Sequence, residues 1–246
     1  MDMNWTPKYD VGFIEHAYIV PLERIYGYIY MNASRKYIKH ERLRYLYNKN
    51  NIKKEFQSIG FNVPELYLYT NDEITQEDLL KHKSFVAKPA HMSESDNVVI
   101  NNTFGLNRLN ESLNKSAQSG EPEMLIQCER GIIIEEFIDV VYELKIFVVW
   151  GSPLIVDLRV GNDESHRVDF IFRENEYLNW DREFDLIEKF AEKIKIDFFR
   201  IDFLYDGKKL YAGECAFMPS TILPDDIMNF IFDKWSKPYL KQLGIK

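Results

Sequence analysis

The stretch Phe198-Phe199-Arg200-Ile201-Asp202-Phe203-Leu204-Tyr205-Asp206-Gly207-Lys208-Lys209-Leu210-Tyr211-Ala212-Gly213-Glu214-Cys215-Ala216-Phe217 decides how this chain is read. Two apolar, aromatic-rich runs flank Asp206-Gly207-Lys208-Lys209, the pattern of a β-hairpin. In the first run a two-residue period puts Arg200, Asp202 and Leu204 on one face and the aromatics on the other, with Arg200 and Asp202 ~7 Å apart. In the second, Leu210, Ala212, Glu214 and Ala216 share a face. If Asp202 pairs with Glu214 in an unbroken register, Asp206 faces Leu210 and the loop is Gly207-Lys208-Lys209. Two carboxylates side by side repel unless a cation lies between them, and Mg²⁺ is the natural occupant. A two-residue Asp206-Gly207 turn is the competing register; it sets Tyr211 opposite Asp202 and sends Glu214 to the other face. In a purely structural alternative, Arg200 and Asp202 form a same-face ion pair and Glu214 is a solvated strand residue.

Working outward, Glu143 to Trp150 and Leu154 to Val160 form two β-rich runs separated by Gly151-Ser152-Pro153, which predicts a second hairpin. Between the hairpins, Phe184, Ile187, Phe190, Ala191 and Ile194 recur at helical spacing. Asp225-Asp226 supplies an N-cap for a final helix containing Ile227, Phe230, Ile231 and Trp235. Toward the N-terminus, Ile132 to Ile138 reads as a strand, Leu106 to Ser119 as a helix, and Phe85-Val86-Ala87-Lys88-Pro89 and Val98 to Ile100 as short strands joined by a polar loop. Thr75-Gln76-Glu77-Asp78 resembles a capping box that starts a brief helix to about Lys81. Ile52, Phe56 and Ile59 mark a helix that Gly60 ends, and Pro64 opens an extended segment. The first forty-odd residues show no strong period. The sum is a mixed α+β chain dominated by antiparallel strands.

The 246 residues suffice for one large domain or two closely packed ones, and 46% apolar content excludes a disordered chain. A net charge of −8 argues against a nucleic-acid or anionic-membrane binder, so local cations must hold any anionic ligand. Cys128 and Cys215, without a CxxC motif, point to a reducing compartment and no disulfide framework. No basic segment followed by an apolar run opens the chain, and the longest apolar region, Ile146 to Val156, is interrupted and short. A cytoplasmic protein without membrane insertion is expected. Neither GxGxxG, a P-loop, GxSxG nor HExxH occurs, so any catalysis rests on lysines, arginines and carboxylates.

Five pieces in order carry a resemblance: Lys88-Pro89-Ala90-His91-Met92-Ser93, Glu135-Glu136-Phe137-Ile138, Glu143-Leu144-Lys145, Arg200-Ile201-Asp202 and Gly213-Glu214-Cys215-Ala216. Together they resemble the ATP-grasp superfamily, and most of all its TupA-like family. A lysine eleven residues before a helix-ending glycine, Lys49 before Gly60, is similar to the D-alanine–D-alanine ligases. The resemblance runs from Lys49 to Ser220. It implies an ATP-grasp fold, two α+β subdomains clamping a nucleotide: a short N-terminal element over residues 1–48, a lid subdomain over 49–140 and a C-terminal catalytic subdomain over 141–246.

The resemblance also implies roles. Lys88 and Lys49 hold the phosphates of ATP, with His91 and Ser93 as loop contacts. Glu136, Phe137 and Ile138 meet the adenine edge through backbone groups, and Glu135 helps fix the exocyclic amine. Glu143, with Lys145 beside it, accepts the ribose hydroxyls. Asp202 and Glu214 bind Mg²⁺, and Arg200 stabilises charge on the transferring phosphoryl group. Each has a plainer rival: Lys88 snorkelling outward, Glu143 and Lys145 as a same-face ion pair, Lys49 as one lysine of a solvated stretch with Lys53 and Lys54. Two departures stand out. Ala216 replaces an oxygen-bearing metal ligand, and Met92 replaces a glycine, with Glu94 and Asp96 adding negative charge nearby. The implied activity is a carboxylate–amine ligase working through an acylphosphate on a small-molecule carboxylate and an amine or glycan acceptor. A kinase acting on a hydroxyl and a catalytically weakened nucleotide-binding module are the alternatives. Arg159 and Arg167 are further candidates for an anionic substrate.

Overall fold

The structure, a computed structural model, describes residues 41–92, 97–115, 128–160, 168–172, 180–217, 219 and 225–242. Within them the order is α1 (Glu41–Tyr47), α2 (Lys49–Ile59), β1 (Leu66–Thr70), α3 (Gln76–Leu80), β2 (Val86–Pro89), β3 (Val99–Ile100), α4 (Leu106–Glu111), a 3₁₀ turn (Ser112–Asn114), β4 (Ile132–Glu135), β5 (Tyr142–Val149), β6 (Ser152–Val160), β7 (Val168–Phe172), α5 (Asp181–Ile194), β8 (Phe198–Tyr205), β9 (Leu210–Phe217) and α6 (Asp225–Gln242). Every strand pairing among the described residues is antiparallel. A four-stranded sheet has the order β1-β4-β2-β3 and a five-stranded sheet the order β7-β6-β5-β8-β9.

Alternation along the middle of β8 separates core from site. On β8, Phe199, Ile201 and Phe203 are buried in one cluster with Leu144 and Ile146 of β5, Phe56 of α2, Phe190 of α5 and Trp235 of α6. Arg200 and Asp202 face the other way, paired with each other. The smaller sheet buries Ala87, Ile132 and Ile134 against Leu79 of α3 and Leu109 of α4.

Helix α2 joins the two sheets. The Asn48 side chain caps it, accepting from the Asn50 and Asn51 N–H groups, and its Nδ2 donates to the Glu129 carbonyl at 2.8 Å and to the Tyr69 hydroxyl at 3.3 Å. The Lys49 N–H donates to the Ala90 carbonyl, just past β2. At the far end Gly60 adopts φ 109°, with its N–H on Gln57 and that of Phe61 on Phe56, a Schellman turn closed by edge-on packing of Phe61 against Phe56. Because Asn48 is fully buried and serves both as cap and as tie, Asn48→Ala is expected to cost about 1–2 kcal/mol, read from urea unfolding.

The capping box is present, Thr75 and Asp78 bonding reciprocally. Four boundaries differ from the sequence expectation. The β5–β6 hairpin turns at Trp150-Gly151, with φ 52° and 81°, and Ser152 and Pro153 already belong to β6. The strand expected over Ile132 to Ile138 stops at Glu135, because the Glu136 N–H leaves the ladder for the Glu65 carbonyl. The helix from Leu106 gives way to a 3₁₀ turn after Glu111, and residues 116–119 lie outside the described ones. Asp225 is itself the first residue of α6. The unmatched N-terminal stretch is described only from residue 41.

In the decisive hairpin, Asp202 does face Glu214, but the pairing shifts between Asp202 and Phe203, so Phe203 faces Ala212 and Tyr205 faces Leu210. The loop is therefore the four residues Asp206 to Lys209, and Gly213 is the extra residue of a β-bulge. The bulge breaks the expected common face: Glu214 and Ala216 stay with Asp202 and Arg200, while Leu210 and Ala212 turn into the core with Phe203.

Candidate active site

Lysines from α2 and β2 and carboxylates from β4, β8 and β9 meet between the two sheets. Lys49 and Lys53 lie one helical turn apart on α2 and so face the same way. Lys49 Nζ lies 3.5 Å from Glu214 Oε1 and also contacts the Met92 carbonyl. Lys53, almost fully buried, pairs with Glu135. Lys88 on β2 lies 3.0 Å from Glu135 Oε1 and 3.6 Å from Glu214 Oε1. Glu214 thus receives one cation from each flanking element.

On the larger sheet Arg200 grips Asp202 with two bonds, Nε to Oδ1 at 2.6 Å and Nη2 to Oδ2 at 2.9 Å. Lys145 on β5 reaches Asp202 Oδ2 at 3.1 Å and Glu143 Oε1 at 3.2 Å. Five cationic side chains, Lys49, Lys53, Lys88, Lys145 and Arg200, therefore surround four carboxylates, Glu135, Glu143, Asp202 and Glu214. In a chain of net charge −8 this is a local inversion of sign.

The inversion shows in the titration of its members. Burial alone raises the Glu214 carboxyl, but Lys49, Lys88, Lys53 and Lys145 together outweigh it and bring the value down to about 2. Burial pushes Lys88 below the ordinary lysine value, opposed by Glu214. A carboxylate depressed in the folded state adds stability above its unfolded value, and that stability is lost as pH falls toward the folded value. Glu214 is accordingly expected to stay ionised at about pH 3.5 and to lose its contribution between about pH 4.5 and pH 2. Carbon-13 NMR titration of its carboxyl carbon reads this directly, and Lys88→Met should move the midpoint upward.

The structure brings together Lys49, Lys88, Glu135, Glu143, Lys145, Arg200, Asp202 and Glu214 of the residues singled out from sequence. Glu135 spends its carboxylate on Lys53 and Lys88. Glu136 is committed elsewhere, its N–H on Glu65 and its Oε2 accepting from the Glu65 N–H at 3.3 Å. Phe137 and Ile138 make no backbone–backbone hydrogen bond among the described residues. His91 differs from the expected phosphate contact. Its ring is buried, Nε2 faces the Ser112 and Lys115 carbonyls at 3.2 Å, and Nδ1 accepts from the Gly131 N–H at 3.4 Å. Burial lowers its pKa, in keeping with a neutral ring that clasps the loop. Ser93 and Arg167 lie outside the described residues.

Two participants were missed. Lys53 reads as one of a solvated lysine run, yet it is 3% exposed while Lys54 beside it is exposed. Its position four residues after Lys49 was the available signal. Asp157 on β6, fully buried, faces Lys145 across the sheet and binds Arg159. No signal in the sequence distinguishes it from a strand residue exposed to water.

Asp202 and Glu214 stand opposite each other and share a face, so the donor set suits Mg²⁺. No group of three His, Cys, Asp or Glu side chains among the described residues is placed to hold a metal alone. Water and the oxygens of a bound ligand would complete the coordination, as Mg²⁺ usually requires.

Solved structures share this architecture. A D-alanine–D-alanine ligase from Bacillus anthracis complexed with ATP superposes with a TM-score of 0.55 at 16% identity, over 80% of this chain and 64% of that one. The ATP-grasp ligase PsnB, complexed with a phosphomimetic variant of its minimal precursor, Mg and ADP, gives 0.53 at 13% identity, over 79% and 59%. A RiPP-associated ATP-grasp ligase from Chryseobacterium gregarium, in complex with ADP and a leader and core peptide, gives 0.50 at 19% identity, over 87% and 67%.

The fold is ATP-grasp. The chain spans less than two thirds of the length of the first two of these ATP-grasp structures. No family model and no curated protein matches its sequence. In the ATP-grasp frame the lysines and carboxylates lie between the two sheets, and no helix among the described residues is long and apolar enough to cross a membrane.

Proposed function

We propose that this protein is an ATP- and Mg²⁺-dependent carboxylate–amine ligase. The observation that carries the reading is Glu214, held at once by Lys49 and Lys88 and standing opposite Asp202, in an ATP-grasp fold. Residues 49–140 and 141–246 act as the two subdomains that close on the nucleotide. Lys49 and Lys88 exchange Glu214 for phosphate oxygens, Asp202 and Glu214 hold Mg²⁺, and Arg200 balances charge on the transferring group. Phe137 and Ile138 present backbone groups to the adenine, and Glu143 takes the ribose hydroxyls. ATP supplies the phosphoryl group, and Mg²⁺ supplies charge neutralisation. A substrate carboxylate oxygen attacks the γ-phosphorus and ADP leaves; an amine then attacks the acyl carbon, phosphate leaves, and an amide forms with loss of a proton.

The TupA-like resemblance favours an amino acid or peptide as one substrate and a glycan amine as acceptor. The structural neighbour solved with a leader and core peptide favours a peptide. Hydroxylamine trapping tests the chemistry: incubation with ATP, Mg²⁺ and a panel of amino acids and short peptides should give a hydroxamate and one ADP per turn. ADP release without hydroxamate, accompanied by a stable phosphorylated alcohol, would mark a kinase instead. Ala216, facing Arg200, favours one further reading, a nucleotide-binding module with weakened turnover. On that reading Ala216→Asn, which restores an oxygen donor, should raise turnover about tenfold or more, whereas a native ligase gains little.

A further inference from the structure

Across the larger sheet runs a row of four ionisable side chains on adjacent strands: Asp157 of β6, Lys145 of β5, Asp202 of β8 and Glu214 of β9, each directly opposite the next. Lys145 stands between two aspartates but bonds to only one. Its Nζ is on Asp202 Oδ2 and Glu143 Oε1. Asp157, with no exposed surface, gives Oδ2 to Arg159 Nε and Nη2, both at 3.1 Å, and its Oδ1 has no partner among the described residues. A buried carboxylate oxygen left without a donor is costly and calls for a reason.

We propose that Oδ1 of Asp157 is a second seat for the Lys145 ammonium, taken up when Asp202 turns to a divalent cation. The inference rests on the Mg²⁺-dependent reading of the site. Asp202 Oδ2 carries both Lys145 and Arg200 Nη2, so its lone pairs are taken until Lys145 leaves, while Arg200 keeps one bond to each oxygen. Displacing Lys145 leaves its ammonium with Glu143 alone, the carboxylate assigned to the ribose hydroxyls, unless another anion receives it. Asp157 is that anion: one strand away on the same face, and kept in position by Arg159. The four-carbon stem of lysine allows the swing without backbone movement. Asp157 is thus a positioning residue, acting on the metal ligand through Lys145.

The test reads binding and requires no turnover. Affinity for a non-hydrolysable ATP analogue, adenylyl imidodiphosphate, is measured by calorimetry with and without saturating Mg²⁺, and the ratio of the two affinities is the coupling between them. Asp157→Asn should shrink that ratio about tenfold, and in a Lys145→Met background the same change should alter it less than about twofold. An equal effect in both backgrounds, or none in the native one, overturns the proposal. The native protein offers a second measurement that does not depend on the variants folding. With the analogue bound, addition of Mg²⁺ should shift the carbon-13 signal of the Asp157 carboxyl and the nitrogen-15 signal of Lys145 Nζ together; a stationary Asp157 signal overturns it. If the native chain binds no nucleotide, the proposed function fails and takes this inference with it. If nucleotide binds and tightens with Mg²⁺ but the ratios do not separate, this inference alone fails.

Discussion

Lys88→Met is expected to cut ATP-dependent hydroxamate formation about a hundred- to a thousandfold while leaving the protein folded. The Lys88 ammonium reaches two carboxylates, Glu135 and Glu214, on opposite sheets. Methionine keeps the length and packing of the stem and removes only the charge. The fold survives because each carboxylate retains another cation, Glu135 with Lys53 and Glu214 with Lys49. Turnover is expected to fall because, on the proposed reading, an ammonium in a poorly solvated cleft neutralises phosphate charge that water would otherwise have to screen. Lys88→Arg should recover little, since a planar guanidinium cannot replace a point charge between two acids set at this spacing. Paired measurement of hydroxamate rate and melting temperature separates the two effects. A variant that melts as the native protein and turns over within about tenfold of it would remove Lys88 from the phosphate site.

Glu135→Ala has the larger effect on stability. Both Glu135 and Lys53 are 3% exposed, so the change leaves a lysine buried with its carboxylate gone. Removing one member of such a pair costs about 3–5 kcal/mol, measured by urea denaturation. Burial, reinforced by Lys88 and Lys49 and opposed by Glu214, already holds Lys53 well below its ordinary value. Its escape is to shed the proton, which limits the loss. The double change Lys53→Met with Glu135→Leu should recover most of the stability, because an apolar pair of similar volume needs no compensation and Lys88, which loses Glu135, keeps Glu214. A cost as large as in Glu135→Ala would mean that the pair is more than a self-contained buried contact.

The elements that positioned the site were legible because their periods are local. The alternation of Phe199, Ile201 and Phe203 with Arg200 and Asp202 is a property of a few consecutive residues and fixes their faces, whereas of the two registers it left open the structure takes the one that sets Asp202 opposite Glu214. Where tertiary contacts decide, the sequence misleads. Glycine and proline in Gly151-Ser152-Pro153 draw the turn one residue too far along, whereas Trp150 accepts a left-handed backbone because its indole donates to the Trp235 carbonyl at 2.9 Å and stacks at an angle on Tyr239. A partner 85 positions away is invisible to any local pattern. The bulge at Gly213 is hidden for the same reason: a residue skipped in a ladder leaves no mark in composition. His91 illustrates the limit at the site itself. A histidine in a polar loop reads as a phosphate contact, and only the carbonyls of Ser112 and Lys115 behind it show that its ring is turned inward. Lys53 was obscured by its neighbours Lys49 and Lys54, since closely spaced lysines look alike until the helix decides which of them is buried.

Helix α2 is fastened at its first turn to the smaller sheet, through Asn48 and the Lys49 N–H, while its length packs on β9 and α5 of the larger one. Separation of the two halves must therefore begin by unfastening that turn, and Lys49 travels with whichever half keeps it. Amide exchange at residues 50 to 52 should report the gap between the halves more faithfully than any loop at its rim, and a nucleotide that bridges them should slow it.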